Sequence, residues 1–161
     1  MSAITDAFAS RTSFLHSKGV SPEQISQAER ELGLLFSGEY REYLSLYGIA
    51  AFDGHELTGI TSSDRLNVVS VTSEAKKRYP DLPANLYVIE ELGVEELIIW
   101  QSTDSEIFGC APNYKLEKIC DSLSDYIANK LPGNAQTADM SGQRKSENKA
   151  CFGSAMNVKP T

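Results

Sequence analysis

Residues 86–111 read LYVIEELGVEELIIWQSTDSEIFGCA. Within this stretch Leu86 to Glu90, Leu97 to Gln101 and Ile107 to Ala111 are short runs rich in β-branched, aromatic and aliphatic residues, a composition that suits a pleated, buried surface. The runs are separated by a connection around Gly93 and another through Asp104 and Glu106, both charged or turn-prone. Connections this short join antiparallel neighbours, because a parallel partner needs a crossover of about a dozen residues or more. The stretch therefore predicts a β-meander.

Upstream, Ser21-Pro22-Glu23-Gln24 is a helix start. Ser21 can accept from the amide of Gln24, Gln24 can reach back to Ser21, and Pro22 suits the first turn. Ile25, Ala28, Leu32 and Leu35 then fall close to one stripe, and Gly33 can take the left-handed conformation that ends such a helix. A further helix begins at Ser37. Its Tyr40, Tyr43, Leu44 and Tyr47 recur at three- and four-residue spacing before Gly48, and core packing is the ordinary meaning of such a stripe. Before these two, Ile4, Ala7, Phe8, Phe14 and Leu15 predict a first helix over Ile4 to Lys18, stopped by Gly19.

Between Gly48 and the meander the texture is mixed. Ala51 to Asp53 and Glu56 to Gly59 favour short strands, residues 66–71 fit no single pattern, and Thr72 to Tyr79 reads as a short capped helix ended by Pro80 and Pro83. Beyond the meander, Ile119, Leu123, Tyr126, Ile127 and Leu131 predict a closing helix that begins near Asp121 or Ser122 and stops at Pro132 and Gly133. The expected fold class is α+β, an antiparallel meander packed by N-terminal helices and a closing C-terminal helix. A single domain spans residues 1–133. Residues 134–161 are polar, with few large apolar side chains, and read as a flexible tail.

The charge balance bears on partners. The 161 residues carry 15 Lys plus Arg against 22 Asp plus Glu, and the net charge is -7. The excess lies in the domain, which holds 11 basic and 20 acidic residues through Gly133 against 4 and 2 in the tail. Nucleic acid is a poor partner for such a surface, since phosphate binding needs clustered cations, whereas a basic protein is favoured. The N-terminus lacks the pattern of a secretory signal, and no segment has the length that spans a bilayer, so a cytoplasmic monomer is expected. The three cysteines, Cys110, Cys120 and Cys151, have no CxxC spacing and suggest neither a disulfide framework nor a zinc site.

Motifs for chemistry are sparse. Two histidines, His16 and His55, are too few for most imidazole metal sites, and no GxSxG, HExxH, phosphate-loop or dinucleotide pattern occurs. His16, near the end of the first predicted helix, reads as a surface residue offsetting the helix dipole. His55 sits in Phe52-Asp53-Gly54-His55-Glu56-Leu57, where a carboxylate on either side could orient its ring. On one strand, Asp53 and His55 would share a face and Glu56 would point away. A turn or interface role outweighs catalysis there.

Glu90 with Glu91, and Glu95 with Glu96, flank the predicted turn at Gly93, while Asp104 and Glu106 occupy the next connection. Charge in a turn is ordinarily solvated, and the competing reading is a patch for a partner protein. Trp100, on the strand between, would supply an aromatic anchor beside these acids. Because successive turns of a meander lie at opposite ends, the acids can form two patches instead of one.

The order of features resembles the SUKH superfamily, which includes yeast cell-wall regulators and many bacterial immunity proteins. ISQAERELG at Ile25 to Gly33 followed by FSGEYREYL at Phe36 to Leu44 resembles the family's helix, turn and tyrosine-bearing helix. Tyr47-Gly48 with Leu57-Thr58-Gly59-Ile60, PANLYVIEELG at Pro83 to Gly93, and Ile107 through Ser122, Leu123 and Tyr126 to Ile127 continue it, so that it covers Ser21 to Leu131. One glycine stands where the family has Asn-Gly-Gly, and Val94-Glu95 replaces an Asp-Gly turn.

The resemblance implies an α+β domain without catalytic residues. In bacterial members it implies neutralisation of a cognate toxin, often a nuclease delivered between competing cells. The first functional expectation is therefore an immunity protein that blocks a basic toxin's active site or substrate path, with no cofactor or metal. The second is a non-enzymatic scaffold. The candidate partner-binding residues, taken from charge and aromaticity, are Asp53, His55, Glu56, Glu90, Glu91, Glu95, Glu96, Trp100, Asp104 and Glu106.

Overall fold

The structure is a computed structural model that describes residues 2–93, 96–112 and 115–128. Glu95 and the predicted tail, together with Leu131, Pro132 and Gly133 of the expected helix end, lie outside the described residues. The elements run α1 (Ala3–Ala9), β1 (Phe14–His16), α2 (Pro22–Leu32), α3 (Gly38–Tyr47), β2 (Ala50–Phe52), β3 (His55–Leu57), α4 (Val68–Arg78), β4 (Leu86–Leu92), β5 (Leu97–Ser102), β6 (Ile107–Cys110), β7 (Glu117–Cys120) and α5 (Leu123–Ala128). The strands form two antiparallel sheets, ordered β1-β2-β3 and β4-β5-β6-β7. The α+β class and the meander stand.

Local chemistry sets the helix ends. Ser21 and Gln24 form a reciprocal capping box around α2, and Gly33 closes it at φ 73°. The buried Glu29 then fixes the turn into α3. Its carboxylate accepts from the Phe36 amide at 2.8 Å and pairs with Arg41 at 2.8 and 3.1 Å.

The tyrosine stripe of α3 is core. The Tyr40 and Tyr43 hydroxyls donate to the carbonyl of Thr58 at 3.1 and 2.8 Å. Thr58 in turn joins the two sheets, donating from its amide to Ile89 O and from its hydroxyl to Val88 O at 2.9 and 2.8 Å.

Four expectations need correction. The first helix ends at Ala9, and residues 14–16 form a strand paired with Phe52 to Ala50. The apolar spacing of Ile4, Ala7 and Phe8 breaks at Arg11, and Phe14 stacks on Phe8 at 4.3 Å only because the chain turns back. His16 is thus on a strand, with Nδ1 at 2.7 Å from the Ser17 carbonyl oxygen, and not at a helix end. Helix α4 starts at Val68, capped by the Asn67 side chain, instead of at Thr72. Ile119 belongs to a fourth meander strand, β7, and α5 begins after it. Finally, Asp53 is not in a strand. Asp53 and Gly54, at φ 48° and 87°, make the two-residue turn of the β2–β3 hairpin, the conformation that suits the right-handed strand twist.

Both faces of the larger sheet are covered. Val88, Ile98 and Trp100 pack under Val71 and Ala75 of α4, while Tyr87, Ile89, Ile99 and Ile107 face the main core with Leu123, Tyr126 and Ile127 of α5. Among the described residues, no helix is long and apolar enough to cross a membrane.

Candidate functional site

A single extra residue in β4 decides where the neighbouring glutamates go. Val88 pairs with Trp100 but Glu90 pairs with Ile99, so Ile89 is inserted between two ladder positions. Such a bulge reverses the alternation of side chains beyond it. Glu90 consequently joins Tyr87 and Ile89 on the main-core side, and Glu91 crosses to the side of α4.

Glu90 is 1% exposed. One carboxylate oxygen accepts from the Tyr126 hydroxyl at 2.6 Å and the other lies 2.9 Å from His55 Nδ1. The hydrogen bond to Glu90 raises the His55 pKa above its ordinary value, and the Glu90 and Asp53 charges add to this while burial and Arg11 oppose it. Burial, reinforced by the Glu90 charge, keeps the Tyr126 hydroxyl protonated far above the usual phenol range. A carboxyl group buried this deeply needs hydrogen-bond partners of this kind.

Two expected contact residues therefore need correction. Glu90 faces inward, and Trp100, fully buried beneath α4, presents no aromatic surface to a partner.

Asp53, His55 and Glu56, close in sequence, take three separate partners. Asp53 accepts from the Ser13 amide at 3.0 Å and lies 3.5 Å from Arg11. Its pKa is lowered first by the Ser13 amide bond. His55 turns to Glu90, and Glu56, on the opposite face of the hairpin, pairs with Arg65 at 2.6 Å.

Three of the outward-facing acids meet at a cleft. Glu56 and Thr58, Arg65 and Leu66 of the following loop, Arg78 at the end of α4, and Glu91, Leu92, Glu96, Leu97 and Ile98 of the β4–β5 hairpin enclose about 360 Å³. Across it, Glu56 pairs with Arg65 at 2.6 Å and Glu91 with Arg78 at 3.0 Å. The Arg65 hydrogen bond lowers the Glu56 pKa. Glu96 sits on the rim, exposed and at φ 55°, with no ion-pair partner among the described residues.

Asp104 and Glu106 occupy the other end of the meander, where the Thr103 amide donates to Asn85 O and Lys118 pairs with Glu106 at 3.1 Å. The acids of the two turns thus form two separate patches. Of the expected residues, Glu56, Glu91 and Glu96 come together.

Arg65 and Arg78 complete the cleft and were not among the expected residues. The signal that pointed to them was weak: both are cations in an acidic chain, one in the unassigned stretch before α4 and the other in its last turn. Tyr126 is core, as its helical spacing predicts, but its hydroxyl also serves Glu90.

Comparison with known proteins fits this architecture. A protein from Pseudomonas syringae pv. tomato, known from its crystal structure, superposes with a TM-score of 0.62 at 14% identity, over 79% of this chain and 94% of that one. At that identity the likeness concerns the fold. No curated protein matches by sequence. The family model described as SMI1-KNR4 cell-wall matches residues 22–127, from the capped start of α2 to α5. The chain is a member of the SUKH superfamily, in its SMI1-KNR4 family.

Proposed function

We propose that this protein is an immunity protein that binds a cognate bacterial toxin, a basic nuclease, and neutralises it by covering its active site or substrate path. The observation that carries the reading is membership of the SMI1-KNR4 family across residues 22–127, since that superfamily includes many immunity proteins. The acidity of residues 1–133 supports it, with 20 acidic against 11 basic residues. An acidic surface speeds encounter with a cationic enzyme and disfavours wrong partners. No step in this function requires chemistry by the chain itself.

The test is co-expression with each toxin domain encoded beside its gene. Rescue of growth together with a stable complex is the expected result. Absence of both, across all neighbouring toxins, sinks the reading. A chain ending before Asn134 separates it from the scaffold alternative: neutralisation should survive the truncation, whereas loss of partner binding would favour a scaffold that works through its polar tail.

A further inference from the structure

Three features invite a role: the His55–Glu90–Tyr126 cluster, the exposed apolar residues Leu15 and Leu46, and the cleft below the β4–β5 hairpin. The first is closed off from a ligand and the second has no shape of its own. The cleft combines shape with charge.

Its charges do not balance. Glu56 and Glu91 are matched one to one by Arg65 and Arg78, which leaves Glu96 as a third carboxylate without a cation among the described residues. The adjoining hollow shares Arg65, Arg78 and Glu91 and adds Asp64, which accepts from the Ser70 hydroxyl, and Glu74, which pairs with Lys77, so the spare carboxylate is confined to the cleft itself. The walls include Leu66, Leu92, Leu97 and Ile98. A site with aliphatic walls and one spare carboxylate suits a side chain that has a long apolar stem and a cationic head. Arginine fits better than lysine, because its guanidinium is planar and weakly hydrated and pairs with carboxylates through two parallel bonds.

The surface leading to the cleft has the same character. Leu15 pairs with Ala51 and Ala51 with Glu56, and residues directly opposite one another in a sheet point to the same side. This row runs from Leu15, which is 74% exposed, to the Glu56 wall of the cleft.

We infer that the cleft is the receptor for one arginine side chain carried on a protruding loop of the partner, with the flank of that loop resting on the Leu15 row. The inference rests on the toxin-binding reading for the identity of the partner, but its test does not. Isotopically labelled full-length protein is titrated with acetyl-Gly-Arg-Gly-amide, and with the citrulline analogue, which keeps the shape and removes the charge. The arginine peptide should give saturable amide shifts at Glu91, Leu92, Gly93, Glu96 and Leu97. Citrulline should bind at least fivefold more weakly. Glu96→Gln should weaken the arginine peptide by a similar factor and leave the rest of the spectrum in place, and Glu106→Gln at the other end of the meander should change nothing.

No saturable shift, shifts scattered over the acidic surface, or an undiminished response in Glu96→Gln would each overturn the assignment. Those outcomes would leave the toxin reading to its own co-expression test. Conversely, a chain that neutralises no toxin can still show the arginine site.

Discussion

Glu90 and Glu91 are adjacent in sequence and opposite in situation. Glu90 lies inside, 1% exposed, between His55 and Tyr126, while Glu91 stands 41% exposed in an ion pair with Arg78 on the wall of the cleft. The same side chain is thus a structural element in one place and a surface charge in the next, and the Ile89 bulge separates them. Charge alone says little about function; the environment decides whether a carboxylate is committed to the fold or free to meet a partner.

Glu90→Ala leaves His55 and Tyr126 without their shared acceptor, and each buried donor left unsatisfied costs about 1–3 kcal/mol. Chemical denaturation should show both losses, with the midpoint lowered and the slope unchanged. A loss below about 1 kcal/mol would mean that Glu90 is hydrated and that the contrast with Glu91 is false. Tyr126→Phe is gentler, since Glu90 keeps the His55 contact at 2.9 Å. Loss of one hydrogen bond to a buried carboxyl group predicts about 1–3 kcal/mol in the same measurement.

How far this contrast could be read from sequence depended on the range of the interactions. The caps of α2 were legible because Ser21, Gln24 and Gly33 act on backbone within a few residues. The tyrosines of α3 were legible as core from their spacing. A bulge is a property of two strands in register, so nothing near Ile89 announced that Glu90 would turn inward. Trp100 was misplaced for a related reason. A meander covered on one face exposes alternate residues, but α4 covers the second face as well, and the stretch before Thr72 had no readable pattern. The Asp53-Gly54 turn was readable, since Asp-Gly between short apolar runs is a strong hairpin signal, and treating Asp53 as strand obscured it.

His55 is held above its unfolded value near 6.5 mainly by the hydrogen bond to Glu90. A raised folded pKa stabilises fully below the unfolded value, and this contribution disappears as the pH climbs through the folded value. The stability gap between the native protein and His55→Ala should therefore be larger at about pH 6 than at about pH 9. Arg11 and Asp53 also face the ring. Asp53→Asn, which removes one of the lesser contributions, should narrow the gap only slightly. A gap independent of pH would show that folding leaves the His55 pKa at its unfolded value, and a gap larger at about pH 9 would show that burial keeps the ring neutral.

The smallest stability effect is expected at Glu91. Its partner Arg78 is 48% exposed, and exposed pairs contribute about 0–1 kcal/mol because solvent screens them and side-chain entropy opposes them. Glu91→Gln should accordingly leave the denaturation midpoint almost unmoved. It should nevertheless slow association with a cationic toxin at low salt, and the deficit should shrink as the salt is raised, because screening erases long-range attraction before it erases contacts. Stability and association are then governed by neighbouring residues of one strand. If Glu91→Gln destabilises as much as Glu90→Ala, the cleft wall is part of the core and the division between the two glutamates fails. If stability and association rate are both unchanged, the division holds but Glu91 is only a solvated charge, and steering must come from another part of the acidic surface.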